Sequence, residues 1–244
     1  MTRMGNDIDD ESHQPVAVVT GGSRGLGRAL SVELVRRGWH VVIDGRDATA
    51  LAAAASTLGE AAVTAIPGDV SDPAHRHLIA AAVASGGVDV VVNNASVLGP
   101  TPQPRLADYP LEAIQAVYAV NTFAPLALLQ LLLPHLARRH GRIVNISSDA
   151  AVEAYDGWGG YGSSKAALDH ISAVVAVENP ELSVYAFDPG DMRTDLQQEA
   201  FPGEDISNRP TPESVVPDLM RLITGALPSG RYRVGELTGV HGSA

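Results

Sequence analysis

The stretch "PVAVVTGGSRGLGRAL" at residues 15–30 begins as a short valine-rich run and ends in an amphipathic helical pattern. Between the two lies a turn that contains Gly21, Gly25 and Gly27. Glycine allows a tight turn and a close approach of the backbone to an anion, and the free N–H groups at the start of the helix then point at that anion. The stretch therefore predicts a strand, a nucleotide-binding turn and a helix in succession.

The rest of the chain repeats this alternation of short β-branched runs with longer stretches rich in alanine and leucine. Such a pattern is typical of βαβ units around a parallel sheet. Strands are predicted at 15–20, 40–44, 62–67, 88–95, 142–148, 182–188 and 231–236. Helices are predicted near 25–37, 47–58, 73–85, 108–138, 160–178 and 212–225. The predicted fold class is α/β, a doubly wound parallel sheet in three layers.

Two segments stand outside this alternation. Residues 1–14 are polar and acidic and predict a disordered tail, which leaves 15–244 as a single domain. The segment 191–213 is polar and punctuated by proline and glycine. Because open α/β sheets bind ligands at the carboxyl ends of their strands, this segment predicts a substrate lid, with a plain surface insertion as the alternative.

The composition argues against several classes of partner. With a formal net charge of −11, the chain lacks the basic surface on which affinity for nucleic acids largely rests. It contains no cysteine, and its eight histidines show no metal-ligand spacing, so no metal site is predicted. His75 and His77 are interpreted as solvated loop residues.

A membrane partner is not expected either. The most apolar run, at 126–137, is too short to span a bilayer and predicts a buried helix. Residues 1–14 lack the apolar core of a signal peptide. The absence of cysteine suits a reducing compartment, so a cytoplasmic protein is expected.

Further motifs follow the glycine turn in a fixed order. The turn, "TGGSRGLG" at 20–27, is followed by "GDV" at 68–70, "NNAS" at 93–96 and "DPGDMRT" at 188–194. Together they resemble the compact short-chain dehydrogenases/reductases over almost the whole chain after the tail. Ser96 departs from the family, which has a glycine at that position. The resemblance implies a Rossmann-type fold, a nicotinamide dinucleotide cofactor and a homodimer or homotetramer.

The resemblance also implies four catalytic residues. Ser148 stands thirteen residues before Tyr161, and Lys165 follows that tyrosine by four. Asn121, in the fourth predicted helix, matches the family's asparagine, which supports a water near the active site. Lys165 is the only lysine in the chain. An ordinary surface pair is the alternative interpretation of the Tyr–Lys spacing.

These residue types suit the reduction of a ketone, which needs a hydride at carbon, a proton at oxygen and donors that hold the carbonyl. Tyr161 would be the general acid. Lys165 would lower the pKa of that tyrosine and bind the ribose. Ser148 would orient the carbonyl, and Asn121 would hold a proton-relay water.

The resemblance places the cofactor against residues from most of the strand-end motifs. The predicted cofactor-binding residues are Gly21, Ser23, Arg24, Gly25, Leu26, Gly27, Arg46, Asp69, Val70, Asn94, Ala95, Tyr161, Lys165, Pro189, Gly190, Met192 and Thr194.

The choice between NADP(H) and NAD(H) depends on the end of the second strand, where a carboxylate binds a ribose hydroxyl or an arginine binds a 2′-phosphate. The family's acidic position is occupied by Gly45, and Arg46 follows it. With Arg24, two arginines and a missing carboxylate favour NADP(H). Strand alternation turns Asp44 away from the Gly45 face; if the alignment shifted by one residue, Asp44 would bind NAD(H) instead.

The substrate itself is defined only by class, a small carbonyl or alcohol compound. Residues 149–160, those after Asn94, and the lid are predicted to form the walls of the pocket. Tyr155 and Trp158 would add aromatic surface to it, or would pack against the lid or a neighbouring subunit. The competing function is an NADP(H)-binding sensor or scaffold without turnover, a role that the same fold can support.

Overall fold

The computed structural model describes residues 13–239, which form one seven-stranded sheet in the order β3-β2-β1-β4-β5-β6-β7. Each pair of neighbouring strands runs parallel. The strands are β1 (Val16–Val19), β2 (His40–Gly45), β3 (Val63–Pro67), β4 (Val90–Asn93), β5 (Arg142–Ile146), β6 (Ser183–Asp188) and β7 (Gly230–Arg233). The predicted fold class is confirmed.

Eight α-helices accompany the strands in the described part of the chain. They are α1 (Gly25–Arg36), α2 (Ala48–Leu58), α3 (Pro73–Ala82), α4 (Leu111–Tyr118), α5 (Ala124–Ala137), α6 (Gly159–Glu178), α7 (Asp195–Ala200) and α8 (Pro212–Thr224). The predicted tail falls largely on residues 1–12, outside the described residues.

Helices cover both faces of the sheet, which explains why its strands are apolar at nearly every position. Ala17 and Val19 of β1 face a core shared with α1, α2 and α8. Val18, between them, faces a second core shared with α3, α5 and α6. Full burial of an aliphatic side chain of valine size or larger stabilises the fold by about 1.5–3 kcal/mol, so both layers contribute to stability.

The order of the strands creates a crevice between β1 and β4. The chain builds β1, β2 and β3 outward in one direction, then returns to add β4 on the other side of β1. The loops after β1 and β4 therefore leave the sheet in opposite directions, and such a switch point is where doubly wound sheets bind ligands.

The predicted helix at 108–138 is one continuous helical run with a π-helical turn at Ala119–Phe123 between α4 and α5. The apolar run at 126–137 is thus part of a longer element, Leu111–Ala137, long and apolar enough to cross a membrane by length and composition. Leu128, Leu132 and Leu136 are fully buried in the core beside the sheet. The run therefore packs as a core helix within this fold.

The interpretation of His75 as a solvated loop residue is wrong. Asp72 caps the start of α3 by accepting from the Ala74 N–H at 2.9 Å. The helix then directs His75 inward, where it is only 4% exposed and its Nε2 lies 3.1 Å from Asp44 Oδ2. A polar residue in a helix is buried here because a carboxylate on β2 pairs with it.

The predicted lid, 191–213, contains the short helix α7 and ends in the first two residues of α8. Thr194 caps α7, its Oγ1 accepting from the Gln197 N–H at 3.2 Å. Thr194 and Gln197 have the spacing of a capping box, a signal for the start of a helix.

Candidate active site

A cleft of about 1080 Å³ opens at the carboxyl ends of the strands, over the switch point. Every predicted cofactor-binding residue except Gly27 lines it. Of the predicted catalytic residues, Ser148, Tyr161 and Lys165 line it and Asn121 does not. The structure thus brings residues from six strand ends and from α6 into one site.

The glycine turn needs its glycines for two different reasons. Gly21 has a φ of +69°, and a Cβ there would lie 3.1 Å from the Ala95 Cα. A Cβ on Gly27 would lie 2.4 Å from the Gly21 carbonyl oxygen, so that glycine permits packing inside the turn and does not line the cleft.

Asp44 holds the turn from beneath. Its Oδ1 accepts from the Gly21 N–H at 2.6 Å, and its Oδ2 lies against His75. Asp44, Gly45 and Arg46 all line the cleft, but Asp44 is only 3% exposed. The carboxylate is therefore engaged below the turn, as the alternation along β2 predicts.

The Tyr161–Lys165 pair is buried, unlike an ordinary surface pair on a helix. Tyr161 is 6% exposed and Lys165 is 1% exposed. Lys165 Nζ donates to the Ile146 carbonyl oxygen at 2.7 Å and lies 5.6 Å from the centre of the Tyr161 ring. Burial lowers the pKa of Lys165 to about 8, and the charge of Asp169 acts in the opposite direction.

The lowering of the Tyr161 pKa by Lys165 stays a prediction, and burial of the phenol acts in the opposite direction. Burial raises this pKa to about 12, because the phenolate loses its hydration. Hydrogen bonds from the hydroxyls of Ser96 and Ser148 oppose the rise, and the charges of Asp149 and Asp188 add to it. Tyr161 is accordingly a protonated phenol at neutral pH.

Asn121 lies at the π-helical turn, fully buried, and its side chain is saturated with partners. Its Oδ1 accepts from Ser96 Oγ at 3.2 Å and from the Val97 N–H at 2.9 Å. Its Nδ2 donates to the Val97 carbonyl at 2.9 Å and to Ser164 Oγ at 3.0 Å. A primary amide has two donors and an acceptor oxygen with two lone pairs, so these contacts leave no capacity for a water on the side chain.

Ser96 is a site residue that the sequence reasoning did not assign. It lines the cleft, donates to Asn121 and interacts with the phenol of Tyr161. The sequence did contain a signal for this role, because Ser96 replaces a glycine of the family and thereby adds a hydroxyl to the site.

The aromatic wall is formed by Trp158. Its ring meets that of Tyr161 edge-on at 5.8 Å and approaches Phe201 of the lid at 5.9 Å. Tyr155 lies outside the cleft lining, 43% exposed, and its hydroxyl donates to Glu153 at 2.8 Å. Only one of the two predicted aromatic residues therefore lines the pocket.

No cluster of three or more histidine, aspartate or glutamate side chains suited to a metal ion occurs between residues 13 and 239. The polar groups that line the cleft are hydroxyls, a buried ammonium, arginines and several separate carboxylates, beside the glycine turn. The parallel sheet, its switch point and this turn define a dinucleotide-binding α/β protein.

A family model described as short chain dehydrogenase matches residues 15–205. The chain belongs to this family. It is 38% identical over 173 residues to the short chain dehydrogenase asqE of Emericella nidulans, a match that covers 66% of this chain and 64% of that protein. It is 33% identical over 185 residues to an uncharacterized oxidoreductase of Saccharomyces cerevisiae, covering 75% of this chain and 72% of that one. The first of these matches spans a little under two thirds of the length of the Emericella nidulans protein.

Solved structures share the fold closely. A short chain dehydrogenase of Shigella flexneri, complexed with NADP, superposes with a TM-score of 0.83 and 27% identity, covering 91% of this chain and 96% of that one. One from Escherichia coli, complexed with NADPH, superposes with a TM-score of 0.84 and 28% identity, covering 91% of this chain and 97% of that one. The chain is therefore a member of the short-chain dehydrogenase/reductase family by sequence and by fold.

Proposed function

We propose that this protein is an oxidoreductase that uses NADP(H) to interconvert a ketone and a secondary alcohol. The observation that carries the proposal is the group of hydroxyls and the buried ammonium on one wall of the cleft. Ser148, Tyr161 and Lys165 lie there together, and Arg24 and Arg46 line the same cleft.

The choice of NADP(H) rests on charge at the end of β2. Arg24 and Arg46 can pair with a 2′-phosphate, and Gly45 leaves out the carboxylate that would bind a ribose hydroxyl. The Asp44 carboxylate is already hydrogen-bonded to the Gly21 N–H and to His75. The two solved relatives named above carry NADP and NADPH, which supports the same choice. When bound, NADPH supplies the hydride.

The remaining cofactor contacts follow from the residues that line the cleft. Asp69 and Val70 would meet the adenine, and Lys165 the ribose next to the nicotinamide. Thr194, at the start of α7, would meet the carboxamide. A Cβ at Gly25 would have the Thr194 Cγ2, at 3.6 Å, as its nearest neighbour. This open space leaves room for a pyrophosphate over the helix N-terminus.

The proton comes from Tyr161. As the substrate carbon accepts a hydride, the substrate oxygen takes the phenolic proton and leaves a phenolate. Ser148 donates a hydrogen bond to the same oxygen, for which its Oγ must leave Asp149 Oδ1, now 2.9 Å away. The phenolate is then reprotonated from solvent through Lys165. Since the Asn121 side chain is saturated, a relay water would use its main-chain oxygen.

The test is turnover against a panel of ketones, followed as loss of NADPH absorbance, with Tyr161→Phe as the comparison. The enzyme is expected to reduce at least one class of ketone, and Tyr161→Phe to lower kcat by about 10²–10⁴-fold. A protein that binds NADPH but turns over no ketone, with its biological role intact in Tyr161→Phe, would instead be a sensor or scaffold.

The lid and the assembly complete the proposal. Segment 191–213 would close over the substrate, since Phe201 already contacts Trp158 at the cleft. Exposed apolar side chains lie on the π-helical turn before α5 and on α6, at Phe123, Val174 and Val177. A second copy would cover them in a homodimer or homotetramer. A cytoplasmic location is proposed on the same grounds as before, the absence of cysteine.

A further inference from the structure

We propose that Arg231, on the edge strand β7, is a positioning residue of the active site. Its guanidinium fixes the main chain of Ser148 and balances two carboxylates that lie behind the catalytic residues. The inference rests on the proposed function for its catalytic effect. Its electrostatic effect can be measured without turnover.

One side chain reaches three elements of the site. Arg231 Nη2 donates to the Ser148 carbonyl oxygen at 2.9 Å and to Asp188 Oδ2 at 3.2 Å. Its Nε donates to Asp169 Oδ2 at 3.0 Å. The side chain is 30% exposed, so its contacts are partly shielded from water. Because the fork of a guanidinium is planar and rigid, these contacts fix the three oxygens relative to one another.

The contact with Ser148 acts on the residue that would hold the substrate carbonyl. Ser148 leaves β5 in an extended conformation and starts a short 3₁₀ turn, with its own Oγ accepting from the Ala150 N–H at 3.2 Å. Holding the Ser148 carbonyl restricts rotation of the peptide and thereby the direction of the hydroxyl. A misplacement of about 1 Å in such a group can lower a rate by about a hundredfold.

The contact with Asp188 acts on the turn after β6. Asp188 is 1% exposed, and its Oδ1 accepts from the Gly190 N–H at 3.0 Å, which shapes the turn proposed to meet the nicotinamide. A buried carboxylate needs a cation or several donors. Arg231 supplies the closer cation, since Arg233 Nε lies at 3.7 Å from the same oxygen.

The contact with Asp169 acts on Lys165. The two residues are one turn apart on α6, and the charge of Asp169 raises the pKa of that lysine. Asp169 Oδ1 is buried without a hydrogen-bond partner among the described residues, so Oδ2 with Arg231 is its main anchor. Removing the guanidinium would leave Asp169 without its cation and Asp188 with only the more distant Arg233. Both Lys165 and Tyr161 would then hold their protons to higher pH.

The experiment compares Arg231→Met, Arg231→Lys and Arg233→Met. Arg233 shares the Asp188 charge but neither Ser148 nor Asp169 is among its contacts, which makes it the matched control. Arg231→Met is expected to lower kcat by about 10–100-fold with the Kd for NADPH within about twofold of wild type. Arg231→Lys restores the charge but not the fork, so kcat stays low. Arg233→Met is expected to keep most of the activity.

A second readout uses the single lysine. Labelling with ¹³C-lysine gives one side-chain signal, and its pH titration by NMR follows the Lys165 ammonium without any substrate. The midpoint is expected to rise in Arg231→Met and to stay unchanged in Arg233→Met, whereas Arg231→Lys, which adds a second lysine, is compared by kcat alone. In Asp169→Asn, which keeps Arg231, it is expected to fall.

The two readouts separate the proposals. If wild type reduces no ketone but the midpoints move as stated, the proposed function fails and the electrostatic role of Arg231 stands. If folded Arg231→Met kept the wild-type kcat and the wild-type Lys165 midpoint, the inference would be overturned. It would also be overturned if Arg233→Met lost as much kcat as Arg231→Met. If Arg231→Met does not fold, an unmoved midpoint in Asp169→Asn would overturn it.

Discussion

The two walls of the cleft are built differently. On the α6 wall, Lys165 is 1% exposed and donates to the Ile146 carbonyl oxygen. Asn121, outside the cleft lining, is fully buried and supports α6 by donating to Ser164 Oγ. On the lid wall, Arg24 and Asp195 form an ion pair at 2.8 Å, but their side chains are 64% and 66% exposed. An exposed pair of this kind contributes about 0–1 kcal/mol. The groups proposed for chemistry thus lie on a rigid wall, and those that control access lie on a wall that opens at little cost.

The largest expected effect comes from Lys165→Arg, which tests the rigid wall. A planar guanidinium does not fit the enclosed space where a compact ammonium now meets the Ile146 carbonyl. We expect kcat to fall by about 10²–10⁴-fold while the far-UV circular dichroism stays that of wild type. A kcat near that of wild type would refute the role assigned to this lysine.

The Lys165→Met variant measures how much the burial of the Lys165 ammonium lowers the free energy of unfolding. The pKa of Lys165 falls from 10.5 to about 8 on folding. The unfolded chain therefore binds more protons between these values, and stability from this group rises with pH across that window. We expect the variant to be inactive yet more stable than wild type by roughly 1–3 kcal/mol at pH 7.

The pH dependence is the check on this prediction. The difference in the free energy of unfolding, from urea titrations, should narrow from pH 8 upward and vanish above pH 10.5. Arg138→Met, on the exposed end of α5, is the control and should show no such narrowing. A Lys165→Met variant less stable than wild type at pH 7 would contradict the expected cost of burial.

A smaller effect is expected from Ser96→Gly, which restores the family's residue. The hydrogen bond between the hydroxyls of Ser96 and Tyr161 lowers the pKa of that tyrosine once Ser96 turns its single O–H from Asn121 Oδ1 to the phenolate, so loss of Ser96 raises the pKa. Alcohol oxidation, which needs the phenolate, should slow by about tenfold at a given pH, the equivalent of one hydrogen bond. The control is Ser163→Ala, which removes an exposed hydroxyl two residues from Tyr161 and should leave the pH profile of alcohol oxidation unchanged. If both variants shifted that pH profile equally, Ser96 would have no specific role.

The smallest effect tests the lid wall. Asp195→Asn frees Arg24 from its ion pair and removes a negative charge near the proposed phosphate site. We expect the Kd for NADPH to fall by about two- to fivefold at low salt, and the gain to disappear at high salt. Asp156→Asn breaks a similarly exposed pair, with Arg105 at 3.2 Å, and should not change the Kd. Weaker NADPH binding in Asp195→Asn would show that the ion pair supports the site.

The parts of the molecule that local patterns determine were predictable. The strand, turn and helix at 15–30 follow from glycine spacing and apolar periodicity, and the Tyr161–Lys165 pair from its position on one helix face. Such signals lie within a few residues of one another, so one sequence is enough to find them.

Features that depend on distant residues were missed. His75 is buried because Asp44, 31 positions away, lies on the strand facing it. Arg231 reaches Ser148 across 83 positions. The pKa of Tyr161 depends on how completely its surroundings exclude water, which no spacing along the chain reports. The lid helix is different, because the Thr194–Gln197 cap was present in the sequence and was not used.

The burial of Lys165 has a practical consequence for amine chemistry. Most proteins present many ammonium groups to acylating reagents, but here the only lysine is 1% exposed. Apart from a chain-terminal amine, a reagent of this kind can react only when the catalytic wall opens. The rate of acylation at Lys165, measured by mass spectrometry, would therefore report how often the active site opens to solvent.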